Sequence, residues 1–94
     1  MSTVKHLLQW LILGSKGGET RTKIILTLEK KPMNANLLSK KLEMDYKTIQ
    51  HHLKILEKNQ LINSVGNKYG QIYVLSPQLE QEYDLFKKMI GGND

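Results

Sequence analysis

Apolar residues return every three or four positions at the start of the chain. Val4, Leu7, Leu8, Leu11 and Ile12 thereby predict an amphipathic helix ending near Gly14. The breaker Gly14-Ser15-Lys16-Gly17-Gly18 follows, and the same spacing resumes from about Glu19 to Lys30, with Ile24, Ile25 and Leu28 apolar and Pro32 as the stop. Asn34 or Asn36 can cap a short third helix that runs through Lys41 and buries Leu38 and Leu42. After the tight connection Glu43-Met44-Asp45, the Asp45 carboxylate is placed to cap a fourth helix. That helix carries Ile49, Leu53 and Leu56 on one side, and Asn59 is its expected left-handed stop.

The period then changes. Leu61–Val65 and Gln71–Leu75 are β-prone runs on either side of Gly66-Asn67-Lys68-Tyr69-Gly70, which predicts a hairpin. Ser76-Pro77 opens a last helix with the stripe Leu79, Tyr83, Phe86 and Ile90, ended by Gly91-Gly92. The expected fold is mostly α with a small β-hairpin. It is a single domain over 1–94, with a winged helix-turn-helix core at 17–76 between terminal helices at 1–14 and 77–90. One winged domain does not need both terminal stripes to close its core. Leu7, Trp10 and Leu11, with Leu79, Tyr83, Phe86 and Ile90, are therefore expected to form a symmetric dimer interface. The competing expectation is that these helices fold back on their own domain.

Composition narrows the class. In 94 residues, 39% hydrophobic and 24% charged residues describe an ordinary globule rather than a disordered or membrane chain. The formal net charge is +5. Ten basic against five acidic residues fall between Glu19 and Leu75, while the stretch from Ser76 onward is mildly acidic. The positive excess thus belongs to the middle, which suits a polyanionic partner. Cysteine is absent, so disulfides, thiolate metal sites and cysteine nucleophiles are excluded. The apolar run Leu7–Leu13 lacks a cleavage site and falls short of the ~20 residues that span a bilayer, so a cytoplasmic protein with no membrane partner is expected.

On the fourth helix, turning 100° per residue from Ile49 points Lys47, Gln50, His51, Lys54 and Lys58 away from the core, with Tyr46 and Thr48 on the flanks. That face holds no acid through its first three turns. Gln can offer adenine a paired donor and acceptor, and Lys can reach guanine or a phosphate. Tyr46, Lys47, Thr48, Gln50 and His51 are accordingly the expected readers of base edges in a major groove, over a recognition helix of about 45–59, with Lys54 beside them. Ser39 and Lys40, with Lys41, are expected to add phosphate contacts. Asn67, Lys68 and Tyr69 would do so from the hairpin tip, a wing of about 66–70 on the backbone or minor groove. Arg21 and Lys23 are further candidates. Solvated polar faces and polar turns are also common where nothing binds.

The runs Asn34-Ala35-Asn36-Leu37-Leu38-Ser39-Lys40-Lys41-Leu42 and Asp45-Tyr46-Lys47-Thr48-Ile49-Gln50-His51-His52-Leu53-Lys54-Ile55-Leu56-Glu57 resemble the ArsR-type winged helix-turn-helix regulators, most of all their archaeal members. Gly17-Gly18-Glu19-Thr20-Arg21, Leu61-Ile62 and Tyr73-Val74-Leu75-Ser76 fit the same pattern, so the resemblance covers about Gly17 to Ser76. It implies a homodimer on a near-palindromic operator, regulating transcription, with the terminal helices as the interface. Metal-sensing members resemble one another in a cysteine pair near the recognition helix or in ligands on the last helix. Here cysteine is lacking and the last helix has no histidine, so metal sensing is not transferred.

The histidines offer no metal site either. His51 and His52 are adjacent and diverge by about 100°, and His6 stands alone in the first helix. His52 lies toward the core and reads as structural. No nucleophile elbow, phosphate-cradling glycine loop or His-Glu-x-x-His run occurs, so neither an enzyme nor a cofactor is expected. The competing function is a winged protein-interaction module with weak, sequence-independent DNA affinity. A small-molecule effector, if there is one, is not legible.

Overall fold

The computed structural model describes residues 3–67 and 70–91. Its elements are α1 (Thr3–Leu8), a π-helical segment (Gln9–Leu13), α2 (Gly18–Lys30), α3 (Ala35–Leu42), α4 (Tyr46–Lys58), strands β1 (Ile62–Val65) and β2 (Ile72–Leu75), then α5 (Pro77–Gln81) and α6 (Tyr83–Met89). The middle portion is a winged helix-turn-helix. Ile24, Ile25, Leu38, Ile49, Leu53, Leu56, Leu61 and Ile62 fill its core with 1% exposure or less.

Local chemistry sets the boundaries of α3 and α4. Asn34 rather than Asn36 caps α3, its side-chain oxygen accepting from Leu37 N at 2.8 Å. Asp45 caps α4, accepting from Lys47 N at 3.0 Å and Thr48 N at 3.3 Å. These bonds satisfy amide donors that the helix itself cannot. Between the two helices Glu43 turns left-handed at φ 53°. Met44 N donates to Ser39 O at 3.0 Å there, and Ser39 Oγ donates to Met44 O at 2.6 Å. The turn is therefore closed from both sides. The left-handed residue after α4 is Gln60, at φ 62°, and not Asn59, whose φ is −92°. Asn59 instead donates its side-chain amide to Ile55 O at 2.8 Å, while Leu61 N closes the end onto Leu56 O at 2.9 Å.

The strands pair antiparallel with Ile62 opposite Leu75 and Val65 opposite Ile72. Two further bonds root the hairpin. Tyr73 N donates to Met33 O at 2.9 Å, and Ser64 Oγ donates to Glu57 Oε2 at 2.8 Å. The base of the wing is thereby held to the start of the helix-turn-helix and to α4.

The terminal helices depart from the simple reading in two ways. The first is α-helical only to Leu8, and its last turns widen to the i→i+5 pattern. That winding turns Leu8, Leu11 and Ile12 all inward and leaves Trp10 65% and Leu13 60% exposed. The second is no continuous helix over 77–90. It breaks at Glu82, whose N donates to Leu79 O at 3.0 Å, although the apolar spacing runs through the break unmarked. Leu11, Leu79 and Phe86 are 0% exposed within this one chain. These three expected interface residues belong to its own core, because α1 packs against α6 and closes it. The inner faces of both terminal segments thus fold back on the chain's own domain.

Gly18 shows how tightly the first segment sits. A methyl group there would lie 2.0 Å from the backbone oxygen of Ile12. Only a residue without a side chain lets α2 start at that point.

Candidate nucleic-acid interface

On α4 the side opposite the core presents Lys47, His51, Lys54 and Lys58, all exposed. Among the described residues, none of these four side chains is engaged in an ion pair. The capped first turn orients the free N-terminal end of this face outward. Thr48 and Gln50 are half-buried on opposite flanks.

The wing-side flank is more organised than the helical wheel indicates. Gln50 Nε2 donates to the Tyr46 hydroxyl at 3.0 Å, one helical turn back. Both residues line a notch of about 290 Å³ that is completed by Asn34, Asn36, Gln71 and Tyr73 at the junction of α3, α4 and the wing. Burial, then Glu57 and Tyr46, push the Tyr73 phenol above its usual value, so it stays protonated. Sequence spacing did not identify Gln71 or Tyr73 as neighbours of Gln50, because the strand register that brings them there is a long-range property.

The other expected contacts divide. Lys40 and Lys41 are exposed. Ser39 is half-buried, and its hydroxyl proton is committed to Met44 O, so it cannot also donate to a phosphate. Asn67 is exposed and its carbonyl accepts from Gly70 N at 3.0 Å. Lys68 and Tyr69 lie outside the described residues.

Arg21 is no surface cation. At 6% exposure its Nη1 donates to Leu11 O at 2.9 Å and Ser15 Oγ at 3.0 Å, and its Nε donates to His52 Nδ1 at 3.2 Å. One guanidinium so links the end of the π segment, the following loop and the inner side of α4. Burial, then the charges of Arg21 and His51, lower the basicity of His52. Its Nδ1 accepts from Arg21, which leaves the ring proton on Nε2. The His52 ring stands edge-on to that of His51, with centroids 5.3 Å apart. The sequence marked His52 as structural but gave no sign that Arg21 is its partner. Among the described residues no cluster of His, Asp and Glu could hold a metal.

On the terminal helices Leu7, Tyr83 and Ile90 remain half-exposed, and Trp10 is exposed. Leu13, absent from the expected set, adds to the exposed apolar surface. No described helix is long and apolar enough to cross a membrane.

A family model described as bacterial regulatory protein, arsR family, matches residues 18–64, half of the chain. Comparison with curated proteins yields no match. Several solved structures share the fold. A probable transcriptional regulator from Pseudomonas aeruginosa is 22% identical with a TM-score of 0.66, over 93% of this chain and 70% of that one. Reduced HlyU from Vibrio cholerae is 19% identical with a TM-score of 0.70, over 95% and 92%. A homodimeric winged helix-turn-helix DNA-binding domain from Mycobacterium bovis, a possible ArsR-family regulator, is 16% identical with a TM-score of 0.71, over 93% and 76%.

Proposed function

The chain belongs to the arsR family of bacterial regulatory proteins, and on that premise we propose that it controls transcription as a homodimer bound sequence-specifically to duplex DNA. The observation that carries this is the face of α4: Lys47, His51 and Lys54 stand exposed, in no ion pair among the described residues, on a helix whose other side is locked into the core. In this reading Lys47, Thr48, Gln50 and His51 meet base edges and Tyr46 flanks them, while Lys40, Lys54 and the wing, including Asn67, Lys68 and Tyr69, hold the backbone. Pairing through Leu7, Trp10, Tyr83 and Ile90, joined by Leu13, would set two such helices about one DNA turn, ~34 Å, apart. The homodimeric state of the Mycobacterium bovis neighbour supports that arrangement. A cytoplasmic location and a place among the family's archaeal members belong to the same reading. Its neighbours in family and fold are regulators, and no catalytic role is assigned.

The test is selection from random duplex DNA with the purified full chain, followed by binding at several salt concentrations. A shared, near-palindromic sequence bound with steep salt dependence is the expected result. Equal retention of selected and random duplexes at physiological salt would overturn sequence specificity.

A further inference from the structure

A duplex offers two kinds of surface: base edges in the grooves, and the sugar–phosphate strands that bound them. With α4 in a major groove and the wing beside it, one of those strands has to pass between the two, over the junction of α3, α4 and β2. The polar notch of about 290 Å³ lies at that junction.

Its polar side chains fall into two sets. Some are engaged: the Asn34 oxygen caps α3, and Gln50 and the Tyr46 hydroxyl bond to each other. The carboxamides of exposed Asn36 and Gln71 and the hydroxyl of half-buried Tyr73 have no partner among the described residues. Asn36 stands in the first turn of α3, Gln71 just ahead of β2 and Tyr73 within it. The bond from Tyr73 N to Met33 O ties β2 to the chain entering α3, so these groups are held about one hollow before any ligand arrives.

No described residue lining the notch is charged. Glu57 stands outside that lining and accepts from Ser64 Oγ; its charge, with burial the larger cause, keeps the Tyr73 phenol protonated. A carboxamide and a phenol can each turn to donate or to accept, so they do not choose the ligand by themselves. Placement does: on the path of a DNA strand the group on offer is a phosphate, which only accepts.

We propose that the notch seats one backbone phosphate in each half-site, held by donation from Asn36, Gln71 and Tyr73. The inference rests on the DNA reading given above and adds to it a phosphate contact made by neutral groups. Such a contact has its own signature. It strengthens binding to every sequence, yet it neutralises no phosphate and releases no counterion.

The experiment compares wild type, Asn36→Ala, Gln71→Ala, Tyr73→Phe, the triple variant and Lys54→Ala on selected and random duplexes over a range of salt. Tyr73→Phe keeps the ring and loses only the hydroxyl, and the two exposed carboxamides test the site independently of the wing's packing. Each single change should weaken both duplexes about three- to tenfold, the worth of one hydrogen bond. The slope of log affinity against log salt should stay at the wild-type value, whereas Lys54→Ala lowers it. When the selected duplex carries one uncharged methylphosphonate linkage at a time, one linkage per half-site should weaken wild type and leave the triple variant unaffected.

Undiminished binding by the triple variant would overturn the proposal. So would a lowered salt slope, a methylphosphonate profile identical to wild type, or a loss that depends on one base pair, which would give the notch to a base edge. Failure of the underlying reading looks different. A wild type that retains no duplex overturns both, while one that retains random and selected duplexes equally overturns specificity alone, and the salt comparison on random duplex then decides the phosphate seat.

Discussion

Replacing Arg21 by Met is the sharpest test of how the terminal segment is joined to the DNA-facing helix. The methionine stem keeps much of the packing volume and removes all three donations, to Leu11 O, Ser15 Oγ and His52 Nδ1. Ser15 is half-buried and can turn to water. Leu11 O and His52 Nδ1 sit in the buried part of the site and are left without this donor, at about 1–3 kcal/mol each. Relief of the guanidinium's own desolvation offsets part of that loss. A net destabilisation of about 2–4 kcal/mol follows, a large share of the 5–15 kcal/mol that such domains possess. At about 4–8 °C per kcal/mol for a domain of this size, the thermal midpoint should fall by at least ~8 °C. Circular dichroism melts at one fixed protein concentration measure it, because the proposed dimerisation would make the midpoint depend on concentration. Arg21→Lys should lie between the two, since one ammonium cannot reach acceptors on three segments at once. A midpoint for Arg21→Met within ~4 °C of wild type would refute the reasoning, because the three bonds would then be decoration on an independently stable core.

Four other expectations follow. His52 titrates below its ordinary value of 6.5 in the folded state, so the unfolded chain takes up protons first and stability is lost as pH falls below about 6.5 toward the lowered value; denaturant midpoints across pH should show this slope, flattened in His52→Gln. Asp45→Ala removes the cap of α4 and should cost about 1 kcal/mol, read as a lower midpoint in urea. Lys54→Ala should weaken all duplexes alike and reduce the slope of log affinity against log salt by about one; an unchanged slope would remove Lys54 from the phosphate contacts. Trp10→Glu places a charge on an exposed apolar residue of the terminal helices; under the proposed pairing, sedimentation should report a dimer for wild type and a monomer for the variant.

Much of the fold was legible because periodicity and capping act locally. Ile49, Leu53 and Leu56 declared the inner side of α4, and Asp45 and Ser76 marked helix starts that the structure keeps. What escaped was decided at a distance. The apolar stripes of the terminal helices were read as surplus, yet Leu11, Leu79 and Phe86 are needed to close the domain's own core. Spacing cannot say which side of a two-sided apolar helix a neighbour will cover. Arg21 looked like a surface cation because no local rule anticipates that a π segment leaves the Leu11 carbonyl within its reach. The exposed polar face of α4 was visible in outline, although Gln50 sits on its flank and the Ser39 hydroxyl is taken up by the turn.

Glu43 and Gln60 stand one short stretch before and just after α4, and both hold a backbone geometry that side chains other than glycine's disfavour. Glycine at either place would relax the local conformation, but it would also widen the range of angles through which the helix can tilt. By keeping bulkier residues there, the chain accepts a small standing penalty in exchange for a rod whose bearing is decided before any duplex arrives. Docking then demands little reordering of the protein, and more of each contact's free energy is retained as affinity.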